Sequence, residues 1–246
     1  MKILSTKESM NALKDRLASQ DKVFYTRFGD GEVFIMDGIH TNRHRADPSM
    51  SKEMIESFLI DDPNYMIALS GAYPVEPGMK KGLFAPFGHK DKMLKIVNKH
   101  MSTERAVFYN PICFHYELVF HPSRYKEFLD AYIVPYKKLF IGNAPKDAAE
   151  KCFGKIEKYF PTIPVNAYYT AHDWWPDVEQ SIQQDDIEMV ILCVGAAANT
   201  FQARLWKMKE RFHSLDIGSA VDPFSGDNTR RWVQIASKKI HEAWDV

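Results

Sequence analysis

The apolar positions of this chain fall into short runs separated by amphipathic stretches, and the alternation continues from end to end. Val190-Ile191-Leu192-Cys193-Val194 is the clearest run, apolar throughout with no polar alternation. A strand of that kind must be buried on both faces, as in the centre of a parallel sheet with helices on each side. Enrichment in β-branched and aromatic residues predicts strands at 23–28, 65–69, 105–109, 138–142, 163–167, 188–194 and 214–217. Helical spacing of apolar residues predicts helices over 51–60, 90–100, 123–133, 146–159, 173–184, 197–211 and 228–243. Near the N-terminus, Ser5-Thr6-Lys7-Glu8 reads as a capping box with Met10, Leu13 and Leu17 following it, so a first helix covers 6–19. This alternation predicts an α/β, Rossmann-like doubly wound fold. Its sheet is expected to be mostly parallel, with helices on both faces, in a single domain spanning 1–246. The stretch from Ser70 to His89 interrupts the pattern with Pro74, Pro77, Pro86 and several glycines. It reads as a long loop, a kind that is usually functional, and is expected to flank a site.

Composition narrows the picture. A chain of 246 residues, 45% of them hydrophobic, is long enough for a sizeable α/β core. Lys+Arg and Asp+Glu both number 32, so no global field attracts a polyanion, which argues against a dedicated nucleic-acid binder. No apolar run approaches the roughly 18 residues of a membrane span, and charged and polar residues begin at Ser5 where a leader would be apolar. A soluble, cytoplasmic protein is expected. Cys113, Cys152 and Cys193 form no C-x-x-C pair and read as small buried hydrophobes.

The candidate chemistry is concentrated in Phe28-Gly29-Asp30-Gly31-Glu32. The run Val23 to Phe28 is strand-like, and the two glycines after it allow a sharp turn close to a ligand. Asp30 and Glu32 therefore lie just beyond the carboxyl end of a strand, where ligands collect in α/β proteins. Two hard oxygen ligands there suit Mg²⁺ or Mn²⁺ beside a diphosphate. An ordinary turn with solvated acids is the competing reading.

Other positions carry weaker signals. Gly195-Ala196-Ala197-Ala198-Asn199-Thr200 follows the apolar strand and opens a helix. Gly195, Ala197 and Asn199 either present backbone N–H groups to a phosphate or pack a helix tightly on a strand. Arg27 is suited to phosphate oxygens or to a structural ion pair. Arg43-His44-Arg45 is either a phosphate contact or a solvated loop, and His40 with His44 lacks the third ligand a zinc site needs. Asn143, before Pro145, either caps a helix or contacts a nucleotide. His172-Asp173-Trp174-Trp175 is either a packed pair of indoles or a partly exposed stacking surface. Asp216, Asp222 and Asp227 cluster after the last strand. Asp227 is placed as a helix cap, which leaves Asp216 and Asp222 as candidate general bases.

Arg27-Phe28-Gly29-Asp30-Gly31-Glu32, followed by Val33-Phe34 and Gly38, resembles the signature of the GT-D type glycosyltransferases. That family was first described as a domain of unknown function among bacterial glycan-assembly enzymes. Asn110-Pro111, Leu139 to Gly142, Val190 to Ala196 and Leu215-Asp216-Ile217-Gly218 resemble it in the same order. The resemblance implies a nucleotide-diphosphate sugar donor and Mn²⁺ or Mg²⁺ held by a D-x-E of Asp30 and Glu32. Arg27, Gly29, Gly31, Asn143, Gly195, Ala197 and Asn199 are then the candidate donor-binding positions. One departure is visible: where the resemblance leads one to look for a histidine after the late Asp-Ile-Gly, this chain has Ser219.

The acceptor expected from the resemblance is a saccharide or glycoconjugate, in a groove walled by the Ser70–His89 loop with Trp174 or Trp175. A hydroxymethylated DNA base is the alternative acceptor, with Arg43-His44-Arg45, Lys80-Lys81 and Arg230-Arg231 as the local basic positions. A non-catalytic nucleotide- or glycan-binding module is a further alternative. The lack of a glycine-rich dinucleotide fingerprint counts against an NAD-linked enzyme.

Overall fold

A computed structural model describes residues 1–41, 45–71, 73–80, 83–84, 90–101, 105–165, 167–226 and 230–244. Arg43, His44, Lys81, Pro86, His89 and Asp227, named above, lie outside the described residues.

The chain opens with strand β1 (Lys2–Ile3) and helix α1 (Thr6–Ser19). The capping box forms as read, with the Ser5 side chain on the Glu8 amide and the Glu8 side chain on the Ser5 amide. Strand β2 (Phe24–Phe28) leads directly into α2 (Asp30–Met36), and α3 (Pro48–Phe58) precedes β3 (Tyr65–Leu69). Asp47 caps α3 and Pro48 fills its first turn, where a missing N–H costs nothing. Next come α4 (Lys90–His100), β4 (Val107–Phe108), α5 (Cys113–Phe120) and α6 (Pro122–Tyr132). The second half alternates regularly through β5 (Lys138–Gly142), α7 (Lys146–Phe153), β6 (Lys158–Pro161), α8 (Ala167–Gln184), β7 (Met189–Cys193), α9 (Ala197–Trp206) and β8 (His213–Asp216). A 3-10 turn (Gly218–Phe224) and α10 (Arg231–Trp244) close it.

Six strands form one parallel sheet in the order β3-β2-β8-β7-β5-β6, and β1 pairs with β4 in a separate parallel ribbon. Helices α2, α3, α4, α8 and α9 cover one face and α1, α5, α6, α7 and α10 the other, each over its own apolar cluster. The fold is therefore α/β and doubly wound, as the alternation predicted. The central strand β7 is buried at every position, as its unbroken apolar run requires.

Three expectations are corrected. The predicted helix 146–159 stops at Phe153 because Gly154 adopts φ +75°, and the chain then forms β6 at 158–161 where no strand was expected. Residues 163–165 are accordingly not a strand. The strand predicted at 105–109 shrinks to β4, which pairs with β1, while Tyr109 just beyond it bridges the edge of the main sheet at Ala68 of β3.

Candidate active site

The chain leaves β2 toward one face of the sheet and leaves neighbouring β8 toward the other, so the sheet opens between their carboxyl ends. A cavity of about 290 Å³ lies there, lined by Arg27, Gly29, Asp30 and Glu32 at one end. Tyr73, Phe84, Pro111, Ile112, His115 and Trp232 enclose it elsewhere, with Ser70.

The D-x-E segment is helical and not a turn. Gly29 is the N-cap of α2, and Asp30 and Glu32 occupy its first turn, where carboxylates oppose the helix dipole favourably. Asp30 is exposed and its Oδ1 accepts the Gly31 amide at 3.0 Å. Glu32 is recessed. Burial, with repulsion from Asp216 and Asp30 only partly offset by Arg27, raises its carboxyl from 4.5 to about 7. Neither glycine needs a positive φ; Gly29 matters because a Cβ there would stand 2.6 Å from Glu32 Oε2, whereas Gly31 has open space around it.

Arg27 points from β2 to the cavity and is clamped from three sides. Asp216, at the end of β8, meets it at 3.3 Å from both Nε and Nη2. Arg27 Nη1 donates to the Pro111 carbonyl at 3.3 Å and lies 3.4 Å from His115 Nδ1. The ion-pair reading of Arg27 is therefore realised, and the same side chain lines the cavity. Burial raises the Asp216 carboxyl, against the pull of Arg27. Gly218, at φ +58°, makes room for this pair, since a Cβ there would fall 1.7 Å from Arg27 Nη2. Asn110 sets up the other side: its Oδ1 accepts the Ile112 amide at 3.1 Å, turning the chain so that Pro111 and α5 face Arg27.

His115 escaped the sequence reading. Seven of the eight residues of α5 are buried, so the helix has no polar face and its sequence shows no amphipathic period. Its Nε2 lies 3.1 Å from Ser219 Oγ, so a histidine does reach the late segment, but from another element. Phe84 and Trp232 were likewise not singled out. Phe84 sits at φ +64°, a costly conformation for an aromatic residue, beside Trp232 at 6.0 Å between ring centroids.

The remaining candidates lie elsewhere. Asn199 is fully buried, and its Nδ2 donates to Thr26 Oγ1 at 3.2 Å and to the Arg27 carbonyl at 3.0 Å. Ala197 is packed in the core, and Gly195 and Asn143 are exposed at the ends of β7 and β5. None of these four lines the cavity. Asp222 stands 3.8 Å from Arg230 on the 3-10 turn. Trp174 and Trp175 both pack on Phe201, at 5.3 and 5.0 Å, which is the packed-pair reading; the aromatic walls of the cavity are Tyr73, Phe84 and Trp232 instead. Arg45 is exposed, and His40 Nδ1 accepts the Ala46 amide.

The sequence matches no protein-family model and no curated protein. Solved structures do match. One, described as a new glycosyltransferase of the DUF1792 type from Streptococcus sanguinis, superposes with a TM-score of 0.70 at 16% identity, over 89% of this chain and 82% of that one. Another, of domain of unknown function 1792 and described as having a distinct glycosyltransferase fold, gives 0.61 at 14% identity over 91% and 80%. The chain has their fold. The likeness holds across nearly the whole chain at an identity where only architecture is conveyed, so the site rests on its own geometry.

Proposed function

We propose that this protein is a metal-assisted glycosyltransferase, moving a sugar from a nucleotide-diphosphate sugar to a hydroxyl of a saccharide or glycoconjugate. The observation that carries this reading is the pair Asp30 and Glu32 on the first turn of α2, at the mouth of a cavity between two parallel strands of a glycosyltransferase-type fold.

The donor set fits Mn²⁺ or Mg²⁺. Such ions take one or two carboxylates and complete their shell with phosphate oxygens and water. Among the described residues no third His, Cys, Asp or Glu joins the pair. The raised Glu32 carboxyl also marks a place where negative charge lacks a full counter-charge. Asp30 and Glu32 would hold the ion, which supplies Lewis-acid neutralisation of the departing diphosphate.

In the reaction the acceptor hydroxyl oxygen bonds to the anomeric carbon while that carbon's bond to the phosphate oxygen breaks. The nucleoside diphosphate leaves with the electron pair, and the hydroxyl proton passes to water or to the departing diphosphate. Arg27, held rigid by Asp216 and Pro111, adds fixed positive charge where negative charge develops. Asp216 serves Arg27 as a buried counter-ion. Tyr73, Phe84 and Trp232 offer apolar ring faces of the kind that pack on sugars. Among the described lining residues Arg27 is the cation, and it is already paired, which favours a neutral hydroxylic acceptor over a polyanion. The test is transfer from a panel of nucleotide sugars to saccharides and to hydroxymethylated DNA, with Mn²⁺ or EDTA. Metal-dependent transfer to a saccharide supports the reading; sugar incorporated only into DNA overturns the acceptor class, and no donor turnover overturns the activity.

A further inference from the structure

His115 lines the cavity, yet the chemistry above gives it no part. It is 6% exposed, and its two ring nitrogens face different elements. Nδ1 lies 3.4 Å from Arg27 Nη1 on β2, and Nε2 lies 3.1 Å from Ser219 Oγ on the 3-10 turn. A guanidinium carries donors only, so the nitrogen facing Arg27 must be the unprotonated acceptor. A neutral imidazole then has its proton on Nε2 and donates it to Ser219 Oγ. Arg230 Nη1 donates to the same oxygen at 2.6 Å, so the serine links the histidine to a second guanidinium.

The surroundings favour the neutral ring. Burial first, then the charges of Arg27 and Arg230, push the imidazole's pKa well below its usual value. Asp216 and Asp222, the acids on neighbouring elements, are engaged by those same arginines. The ring also makes an edge contact with the indole of Trp232, at 4.8 Å between centroids. Arg27 belongs to the charged end of the cavity and Trp232 to its aromatic wall. Arg27 Nη2 donates to Asp216, whose other oxygen lies 3.3 Å from Nε as an ion pair, and Nη1 faces Pro111 and His115.

We infer that His115, as the neutral Nε2–H tautomer, is a positioning residue that locks Arg27 to the C-terminal segment bearing Ser219, Arg230 and Trp232. The lock sets the charged end of the cavity against its aromatic wall. Its effect on diphosphate binding rests on the function proposed above; the tautomer and the coupling do not.

The first readout is a two-bond ¹H–¹⁵N correlation spectrum of histidine-labelled protein at pH 7. The Nε2–H pattern is expected for His115; an Nδ1–H pattern or an imidazolium overturns the inference. The second compares the Trp232 indole and Arg27 Nε–H resonances in His115→Phe, His115→Gln and Ser219→Ala. Phe keeps a ring and loses both polar contacts, Gln offers an amide N–H and a carbonyl, and Ser219→Ala cuts the link from the far end while sparing the ring. Both resonances should move in His115→Phe and return toward wild type in His115→Gln, while Ser219→Ala shifts Trp232 and keeps the tautomer. Unmoved resonances in both His115→Phe and Ser219→Ala overturn the coupling. Should His115→Phe fail to fold, Ser219→Ala alone decides it. The third readout is UDP affinity with Mn²⁺, expected to fall about tenfold in His115→Phe, the loss of one hydrogen bond to a charged group, and by less in His115→Gln. Wild-type affinity in His115→Phe overturns the positioning role. No UDP binding by the wild type counts against the proposed function, and the two spectra then decide the inference.

Discussion

Neighbouring strands send the chain to opposite faces at several points along the carboxyl edge of this sheet, and two of these crevices differ in what fills them. Between β2 and β8 the chain diverges to opposite faces and leaves a cavity lined by Arg27, Asp30, Glu32 and aromatic rings. Between β5 and β7 it diverges in the same way, into α7 on one face and α9 on the other. There Ala196, Ala197 and Ala198 are buried, and Asn199 turns inward to hold the backbone of β2. Topology offers both as ligand sites. Side chains distinguish them: small residues let α9 settle onto the sheet, while side chains that neither pack nor pair fully, above all Glu32, mark the crevice proposed as the active site.

The sharpest way to break this comparison is to remove charge from one crevice and hydrogen bonds from the other. Asp30→Asn or Glu32→Gln should lower transfer by about 10²–10³-fold, the range seen when one electrostatic stabiliser is lost, with the fold intact. Asn199→Ala should do the reverse, costing about 1–3 kcal/mol of stability in chemical denaturation while the folded enzyme keeps its turnover. Equal turnover in wild type and both carboxylate variants would reverse the assignment of the two crevices.

Next in size is Gly218→Ala. A methyl group there collides with Arg27, and φ +58° penalises any side chain, so a loss of roughly 1–3 kcal/mol and weaker donor binding are expected together. Loss of stability with unaltered donor binding would show that Arg27 does not touch the donor.

A pH series sharpens the comparison further. The fold holds the Glu32 proton more tightly than the unfolded chain, so this group's contribution to stability is full below pH 4.5 and declines as pH rises toward about 7. Without metal, in EDTA, Glu32→Gln should match the wild-type Tm near pH 4 and exceed it at pH 8. A constant difference across the series would mean that Glu32 titrates normally. The smallest effect is expected at Asn143, exposed at the end of β5, where substitution by Ala should change stability by less than about 0.5 kcal/mol and leave donor binding alone.

Much of the sheet was legible because fully buried parallel strands leave unbroken apolar runs, as in β7 and β3, and capping chemistry marked α1. Elements without a period were not legible. Helix α5 is buried nearly all round, His115 and Glu117 included, and α2 is a seven-residue helix whose glycines look like a turn. The acidic end of the cavity could be read from adjacent residues. The rest of its lining could not, since Tyr73, Phe84, His115 and Trp232 meet only through tertiary packing across 159 positions of sequence. The alanine run misled for a related reason: a helix start shaped for phosphate and one shaped for packing have the same small residues, and only burial separates them.

The central claim is that Asp30 and Glu32 receive a diphosphate through a divalent cation. Calorimetric titration of wild type, Asp30→Asn and Glu32→Gln with nucleoside diphosphates, in Mn²⁺ and in EDTA, tests it most directly. Two carboxylates facing a diphosphate repel it unless a cation lies between them. Binding by the wild type in Mn²⁺, its loss in EDTA, and its weakening in both variants is the predicted result. Binding of equal strength in EDTA, or wild-type affinity in both variants, would contradict the account.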